Sequence, residues 1–313
     1  MDTEFKKQLE NGLTEKGLAP SSIKLYLRNL EKLNDGALKN LNFLKDSAVI
    51  QDKLEKYKQN TRRGYLISIT SILSLDKSNK QKQKLYDEYY KLMMDKNREL
   101  KAVEASGEKS ETQKKNWLTW EDVGSKMKDL EDKVATFTGK ELTEGQYNIL
   151  LQEVILALYY YKAPRRNEYQ KMYIVKTSAG LPDSVNYLDY DKKQFVFNVY
   201  KTSRKDGQIT ESIPDELFAI IQKYLKYHPL LKGKKINKST NVPLLVHYNG
   251  SSLTQINAIT RILNKVFGKA VGSSMLRHSY LTSKFGNTLN EMKEDAKSMS
   301  HSMGMQKDYI KTD

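Results

Sequence analysis

The chain has 313 residues, which is long enough for two domains, and its 38% hydrophobic and 29% charged content is typical of a globular protein. It contains no cysteine, which excludes disulfides, thiol catalysis and cysteine-ligated zinc, and its four histidines lack metal-ligand spacing. Because neither a long apolar run nor the core of a secretory signal is present, we expect an intracellular protein without a metal or other cofactor.

The charge of the chain is strongly basic, with a formal net charge of +15 and a pI of about 9.4. Residues 1–100 hold 20 Lys and Arg against 14 Asp and Glu, and residues 151–313 hold 25 against 14. These two basic segments therefore flank residues 101–150, which are near-neutral. This balance indicates a polyanionic partner, most often nucleic acid, and the alternative is a generally solubilising surface.

The first hundred residues have helical patterns. The stretch "APSSIKLYLRNLEKL" begins with start signals and predicts a helix, with Lys24 and Arg28 on its outer surface. One face of this helix carries apolar residues at helical spacing: Ile23, Tyr26, Leu27, Leu30 and Leu33. We therefore expect a small helical bundle with basic edges.

Two further helices are predicted before residue 106. The stretch "NTRRGYLISITSILSL" has Thr61 as a possible cap, Arg62 and Arg63 in its first turn, and Leu66 and Ile69 among its apolar positions. Residues 81–105 are predicted to form one long, charged helix. Residues 103–115 lack an apolar pattern and are predicted to be an exposed linker, which separates a domain at 1–105 from one at 116–313.

The second domain has a mixed pattern. Thr119 is expected to cap a helix, and "YNILLQEVILALYYY" is apolar nearly all round, as in a buried helix. Strand-like alternation occurs in "NYLDY", "KQFVFNVYKT" and "GQITESIP", and "SRKDG" predicts a hairpin turn between the last two. Helices follow, including "TQINAITRILNKVFG" with Ile256, Ile259 and Leu263 on one face. The predicted fold class is mainly α with a small antiparallel β-sheet, an α+β fold.

Four segments of this domain contain residues suited to chemistry on a phosphate. The segment "KAPRRNEYQKM" places Arg165 and Arg166 after the buried helix, and its alternative interpretation is a surface turn in which Glu168 pairs with an arginine. The segment "NVYKTSRKDG" places Lys201 and Lys205 at the predicted hairpin, where lysines are often only solvated.

The third segment, "GSSMLRHSYLTSKFG", predicts a helix capped by Ser273 or Ser274, with Met275, Leu276, Tyr280 and Leu281 facing inward. Arg277 then lies in the first turn, where the helix dipole disfavours a cation unless the helix end meets a phosphate. The fourth segment, "SMSHSMGMQKDYIK", contains His301 and Tyr309.

The order of these residues resembles the tyrosine recombinase (phage integrase) superfamily. The R-x-x-E motif of that family matches Arg165 to Glu168, its hairpin lysine matches Lys201 or, as second choice, Lys205, and its H-x-L-R-H box matches "SMLRH" with Arg277. The later histidine and the nucleophile match His301 and Tyr309. The local sequences "APRRNEY" and "LRHSYLT" are similar to those of integrases of large eukaryotic DNA viruses and their parasites.

The resemblance implies a helical, SAM-like core-binding domain followed by a catalytic domain, acting on double-stranded DNA as a homo-oligomer, a dimer or tetramer. It implies cleavage through a 3′-phosphotyrosyl intermediate, with Tyr309, Arg165, Arg277, Lys201, His301 and Ser274 as catalytic residues and no metal or ATP. Such an enzyme works where the DNA is, in the host nucleus or cytoplasm if it is viral. The basic residues expected to contact DNA are Lys24, Arg28, Arg62, Arg63, Arg166 and Lys205.

Two departures from the family pattern leave alternatives open. Ser274 occupies the position where the family usually has a histidine, and a serine hydroxyl does not carry a proton at neutral pH as imidazole does. Four residues follow Tyr309, too few for the C-terminal helix that often docks on a neighbouring subunit; either the subunits communicate in another way, or the chain has been cut. The alternatives are a type IB topoisomerase-like enzyme and a catalytically inactive DNA-binding protein on the same fold.

Overall fold

A computed structural model of the protein describes the backbone of residues 4–309, and the side chains of these residues apart from 105, 106 and 307–309. The chain divides into two compact units, Met1–Lys109 and Ser110–Asp313. The division lies within the stretch 103–115 that we expected to be a linker. That stretch is largely helical, however, because one helix extends through Ser106 and the next begins at Glu111 with a capping box at Ser110.

The first unit is built from α-helices joined by short connections. These are α1 (Glu4–Glu15), α2 (Pro20–Leu33), α3 (Ser47–Glu55), α4 (Gln59–Leu73) and α5 (Lys80–Ser106). Proline occupies the first turn of α2, where its missing N–H costs nothing. The predicted apolar face of α2 is buried, and Asn29 on the same helix donates a buried 2.9 Å hydrogen bond to Ser68 of α4.

The start of α4 differs from the sequence prediction. The helix begins at Gln59 rather than at Thr61, and its N-cap, Lys58, makes no side-chain capping bond. The predicted apolar positions Leu66 and Ile69 are nevertheless buried. The apolar period therefore located the helix correctly, whereas the choice of cap was wrong.

The second unit contains α6 (Glu111–Asn116), α7 (Trp120–Ala135), α8 (Glu144–Tyr160), α9 (Ser203–Asp206), α10 (Asp215–Lys226), α11 (Ala258–Phe267), α12 (Ser273–Ser298) and α13 (Met303–Tyr309). Thr119 caps α7 in a capping box with Asp122, as predicted. The apolar helix α8 packs against α7, α10 and α11, so most of its circumference is buried. Within residues 4–309, no helix is both long and apolar enough to cross a membrane.

A small sheet completes the second unit. Its strands are β1 (Met172–Val175), β2 (Asn186–Asp189), β3 (Gln194–Phe197), β4 (Ile209–Ser212) and β5 (Asn241–Pro243), in the order β4-β3-β2-β1-β5. The mainly helical α+β class is thus confirmed. The sheet is mixed rather than antiparallel throughout, because β1 and β2 run parallel. Strands β1 and β5 had no sequence signal that we recognised, since β1 continues directly from a 3₁₀ turn and β5 spans three residues.

Two residues expected in the core are exposed instead. Ile256 has 87% of its surface accessible because α11 begins only at Ala258, so Ile256 precedes the helix. Leu281 is 52% exposed. It follows the part of α12 around Leu276, which is buried in the main core of the unit.

One of the buried acidic side chains of the second unit is Glu153 of α8, which is 2% exposed. Its Oε2 atom has no hydrogen-bond partner among the described residues. Burial raises the pKa of Glu153 to about 7, an effect that Lys223 opposes and Glu131 reinforces. A carboxyl group whose pKa is raised by folding does not change the free energy of unfolding at a pH below its unfolded pKa, where it is protonated in both states. As the pH rises towards the folded pKa, the unfolded chain is ionised first, and the protein loses stability.

We therefore expect Glu153→Gln to match the parent near pH 4 and to be more stable by about 3 kcal/mol at pH 8. Urea unfolding followed by tryptophan fluorescence measures this difference in the second unit, since Trp117 and Trp120 are the two tryptophans of the chain. Glu141→Gln, at an exposed position, is the control and should show no such pH dependence. Parallel stability curves for Glu153→Gln and the parent would contradict the expectation.

Candidate active site

The side chain of Arg165 is held by residues of strands β3 and β4, and not by residues of the turn in which Arg165 lies. Its Nη1 donates to Oε1 of Glu211 on β4 at 2.5 Å, and its guanidinium carbon lies 3.8 Å from the centre of the Phe197 ring on β3. The side chain is 17% exposed. The alternative sequence interpretation named Glu168 as the ion-pair partner, and the structure assigns that role to Glu211.

Glu211 also holds a second cation that the sequence analysis did not select. Lys162 lies with its Nζ 3.2 Å from Oε2 of Glu211 and donates to the Ser212 carbonyl at 2.7 Å. One carboxylate therefore serves two part-buried cations, and the cluster keeps a net positive charge. The spacing "KAPR", with a lysine three residues before Arg165, was the available sequence signal.

Arg277 lies in the first turns of α12, as predicted. Its Nη2 donates to the Ser274 hydroxyl at 3.3 Å, and Ser274 itself is exposed. The predicted serine cap is wrong, because Gly272 occupies the N-cap position and no side chain caps the helix. Ser274 therefore contacts the arginine at a helix end that no side chain caps, where the N–H groups of Met275 and Leu276 donate to the Gly272 carbonyl.

Each of the two arginines lies within electrostatic range of one of two buried tyrosines. The rings of Tyr159 and Tyr169 meet edge to face with their centres 5.8 Å apart. Burial raises the pKa of Tyr159, and the nearby Arg277 cation opposes this rise. Burial likewise raises the pKa of Tyr169, and Arg165 opposes it. Each arginine is thus close enough to act on one member of a touching pair, which brings Arg165 and Arg277 to one region of the unit.

Several buried polar atoms of this region have no hydrogen-bond partner among the described residues: Nε of Arg165, Nε of Arg277, Oε2 of Glu168 and the hydroxyl of Tyr169. Leaving a buried donor unpaired costs about 1–3 kcal/mol each, so their concentration in one place requires an explanation. Two guanidinium Nε–H donors suit an oxyanion that accepts from both. Three of these atoms can donate to a phosphate, whereas Oε2 of Glu168 is an acceptor.

The predicted hairpin exists as the antiparallel pair β3 and β4, and both lysines lie in its connection. Lys201 is an exposed turn residue next to Tyr200, whose ring centre is 5.6 Å from the Arg165 guanidinium carbon. Lys205 lies in the single-turn helix α9, which ends at Gly207 with a φ of +70°. The "SRKDG" segment is therefore a helical turn, and Lys201 is the lysine whose chain neighbour contacts the Arg165 environment.

The last of the four segments contains a short helix, α13. His301 lies half-buried in the turn between α12 and α13, where its backbone N–H donates to the Ala296 carbonyl at 3.0 Å. The backbone of Tyr309 ends α13, and its side chain is outside the described residues. Helix α13 contacts α12, the helix that carries Arg277.

The basic residues expected to contact DNA fall into two groups. Lys24, Arg28, Arg166 and Lys205 are exposed. Arg62 instead donates through Nε to the Tyr57 carbonyl at 2.7 Å and also bonds the Glu55 carbonyl, and Arg63 donates to Asn97. These two arginines join α4 to the end of α3 and to α5, a structural role that the sequence analysis did not predict.

The described residues contain no group of three histidine, cysteine or acidic side chains placed to hold a metal ion. Comparisons with protein-family models, with curated proteins and with solved structures found no match to this chain. The functional interpretation therefore depends on the geometry of the site and on the sequence motifs.

The bridge from Glu211 to both cations gives a test of the site. Glu211→Ala leaves Lys162 and Arg165 without their carboxylate, which should cost about 2 kcal/mol of stability. Sulfate should recover much of this loss, because an oxyanion replaces the carboxylate. Thermal unfolding in sulfate and in chloride of equal ionic strength measures the effect.

Sulfate stabilises many proteins by exclusion from their surface, so the comparison needs a matched control. Asp132→Ala breaks the exposed pair of Lys128 and Asp132, whose Asp132 side chain is 65% exposed. It should change stability little, and sulfate should raise its melting temperature no more than that of the parent. An equal sulfate response in Glu211→Ala and the parent would mean that sulfate does not take the place of the Glu211 carboxylate.

Proposed function

We propose that this protein cuts and rejoins double-stranded DNA by transesterification, as a site-specific recombinase of the tyrosine recombinase type. The observation that carries the proposal is the cluster of Arg165 and Arg277, whose buried Nε–H donors have no hydrogen-bond partner among the described residues. The order of Arg165, Lys201, Arg277, His301 and Tyr309 along the chain supports it. The positive net charge of +15 suits a polyanionic substrate.

The two arginines stabilise the charge that develops on the scissile phosphate. A guanidinium stays protonated and presents a rigid fork of donors to the non-bridging oxygens. Both side chains are half-buried, so their interaction with a phosphate is less screened by water than at an exposed site. Electrostatic stabilisation of this kind lowers a barrier by several kcal/mol.

Tyr309 is the nucleophile in this proposal. Its phenolic O–H gives its proton to solvent water as the oxygen attacks phosphorus, the bond from phosphorus to the 5′ oxygen breaks, and a 3′-phosphotyrosyl bond forms with the phosphate charge unchanged. The freed 5′ oxygen takes a proton from Lys201 and leaves as a hydroxyl. The reverse sequence of steps rejoins the strand without ATP, because the phosphotyrosyl ester retains the energy of the broken bond.

His301 and Ser274 have supporting roles in the proposal. The Ser274 hydroxyl lies 3.3 Å from Nη2 of Arg277 and so orients that guanidinium or shares a phosphate oxygen with it. His301 hydrogen-bonds the same phosphate or the groups around it. The serine at position 274 is also the observation that favours the second candidate, a DNA-binding protein that does not cleave.

The Tyr309→Phe variant tests the chemistry. Duplexes selected from a randomised pool by binding to this variant supply the DNA, and nicked suicide substrates made from them trap a cleaved strand. We expect the parent to form a covalent adduct with DNA in a denaturing gel, and Tyr309→Phe to bind equally well and form none, since the phenylalanine ring has no attacking oxygen.

Tyr248→Phe is the matched control, because Tyr248 is 44% exposed and should lose no activity. Binding by the parent without any adduct on these substrates would contradict the recombinase and favour the DNA-binding protein. Relaxation of supercoiled plasmids without sequence preference would instead indicate the topoisomerase-like activity.

The proton donor is tested with DNA whose 5′ bridging oxygen at the scissile bond is replaced by sulfur. A thiolate leaves without protonation, so it needs no general acid. We expect Lys201→Ala to cleave ordinary DNA about 10²- to 10⁴-fold more slowly than the parent and to cleave the sulfur-containing DNA at close to the parent rate.

Lys205→Ala is the control for this experiment, since Lys205 lies in the same connection and is also exposed. Because Lys205 is also an expected DNA contact, any loss of rate in this variant should be equal for the two DNAs. Rescue by sulfur in Lys205→Ala but not in Lys201→Ala would move the acid to Lys205. Slow cleavage of both DNAs by Lys201→Ala would mean that Lys201 does not protonate the leaving group.

A further inference from the structure

The connection between β3 and β4 carries the proposed proton donor, Lys201, and little of this connection is buried. It runs from Asn198 to Gln208, and within it only Asn198, Tyr200 and Ser203 are half-buried, whereas the other residues are exposed. A connection with so few buried side chains has little packing to hold its backbone in one conformation. Tyr200 is the one large apolar side chain among the three, and it packs against the main core of the second unit.

Two side-chain hydrogen bonds close this connection on itself. The Tyr200 hydroxyl donates to the Gly207 carbonyl at 2.7 Å, and the Gln208 amide donates to the Asn198 side chain at 2.6 Å. Gly207 has a φ of +70° and a ψ of −157°, a backbone conformation that glycine adopts readily and other residues rarely. The bond from Tyr200 to Gly207 encloses both Lys201 and the short helix α9, so it restrains the part of the connection that carries the proton donor.

The ring of Tyr200 is held beside Arg165. Its centre lies 5.6 Å from the Arg165 guanidinium carbon, which also lies 3.8 Å from the centre of the Phe197 ring. Burial and the nearby Asp206 raise the pKa of Tyr200, and Arg165 opposes this rise. The hydroxyl therefore stays protonated at neutral pH and remains a hydrogen-bond donor. The ring is thus anchored at the arginine cluster while the hydroxyl reaches the far end of the connection.

We propose that Tyr200 is a positioning residue for the cleavage reaction, and that its hydroxyl fixes the connection so that Lys201 is presented to the leaving 5′ oxygen. Proton transfer requires the donor to lie within hydrogen-bond distance of the oxygen that it protonates. An exposed lysine on an unrestrained connection spends less time at that distance, and this lowers the rate of the protonation step. The inference rests on the proposed function, since it takes Lys201 as the general acid.

The Tyr200→Phe variant tests this role, because it removes the hydroxyl and keeps the ring beside Arg165. We expect it to cleave ordinary DNA about fivefold more slowly than the parent, which is the effect of losing one hydrogen bond of ordinary strength. DNA with sulfur in place of the 5′ bridging oxygen should be cleaved at the parent rate, since its leaving group needs no proton. A hydroxyl that only supports the fold would slow the cleavage of both DNAs alike.

Tyr227→Phe is the matched control. The Tyr227 hydroxyl also donates to a glycine carbonyl, that of Gly139, at 3.0 Å, and both residues lie outside the β3–β4 connection. This variant should cleave both DNAs at the parent rate. The proposal is overturned if Tyr200→Phe cleaves ordinary DNA as fast as the parent does, or if it is equally slow on both DNAs.

Hydrogen exchange tests the restraint on the connection without DNA. Backbone N–H groups of the connection donate to its own carbonyls, among them those of Ser203 and Gly207. Mass spectrometry of peptides that cover the connection should show about fivefold faster exchange in Tyr200→Phe than in the parent, and no change in Tyr227→Phe. Circular dichroism checks that both variants keep their helix content. Equal exchange in Tyr200→Phe and the parent also overturns the proposal.

The outcomes separate this inference from the cleavage proposal. If the parent and Tyr227→Phe form the DNA adduct and Tyr200→Phe forms it at the parent rate, the positioning role is overturned and the cleavage proposal stands. If the parent binds DNA and forms no adduct, the cleavage proposal is overturned, and the role of Tyr200 in presenting Lys201 is overturned with it, whatever the exchange rates show.

Discussion

The candidate site depends on one costly arrangement, which is the partial burial of two guanidinium groups without a full set of hydrogen-bond partners. Arg165 is held by the Glu211 carboxylate and by the face of the Phe197 ring, so the β3–β4 hairpin determines where the guanidinium points. Arg277 is held at the start of α12 beside Ser274. A bound oxyanion would satisfy the Nε–H donors of both residues, which have no partner in the part of the chain that the structure describes, and this links the cost of the arrangement to a ligand.

Three elements of the second unit converge beneath these arginines. Tyr159 ends the apolar helix α8, Tyr169 precedes β1, and Phe197 ends β3; the Tyr169 ring contacts both of the others. Aromatic rings form a rigid, apolar surface. The low dielectric constant near such a surface strengthens the interaction between a cation and a phosphate. The buried helix α8 therefore serves the site as well as the core, because its last turn supplies part of that surface.

Some basic residues of the chain form hydrogen bonds that join neighbouring helices, and others are exposed on the surface. In the first unit, Arg62 and Arg63 bond neighbouring elements, whereas Lys24 and Arg28 on α2 remain exposed. Net charge thus overstates the number of cations that can meet a polyanion. In the second unit, Glu211 pairs with both Lys162 and Arg165, so this cluster keeps one positive charge at the candidate site, while Arg166 and Lys201 are exposed.

The sequence by itself determined the features that depend on near neighbours in the chain. The Thr119 cap, the proline start of α2, the buried character of α8 and the β3–β4 hairpin were all predictable, because capping, helical period and strand alternation are local. The positions of Arg165 and Arg277 were also selected from the sequence, as members of motifs. Tertiary structure alone decided that Glu211 rather than Glu168 pairs with Arg165, that β1 and β2 run parallel, and that Ile256 lies outside the core. Those outcomes depend on which distant segments meet, and neither the apolar period nor the residue type encodes the partner of a strand or of a charge.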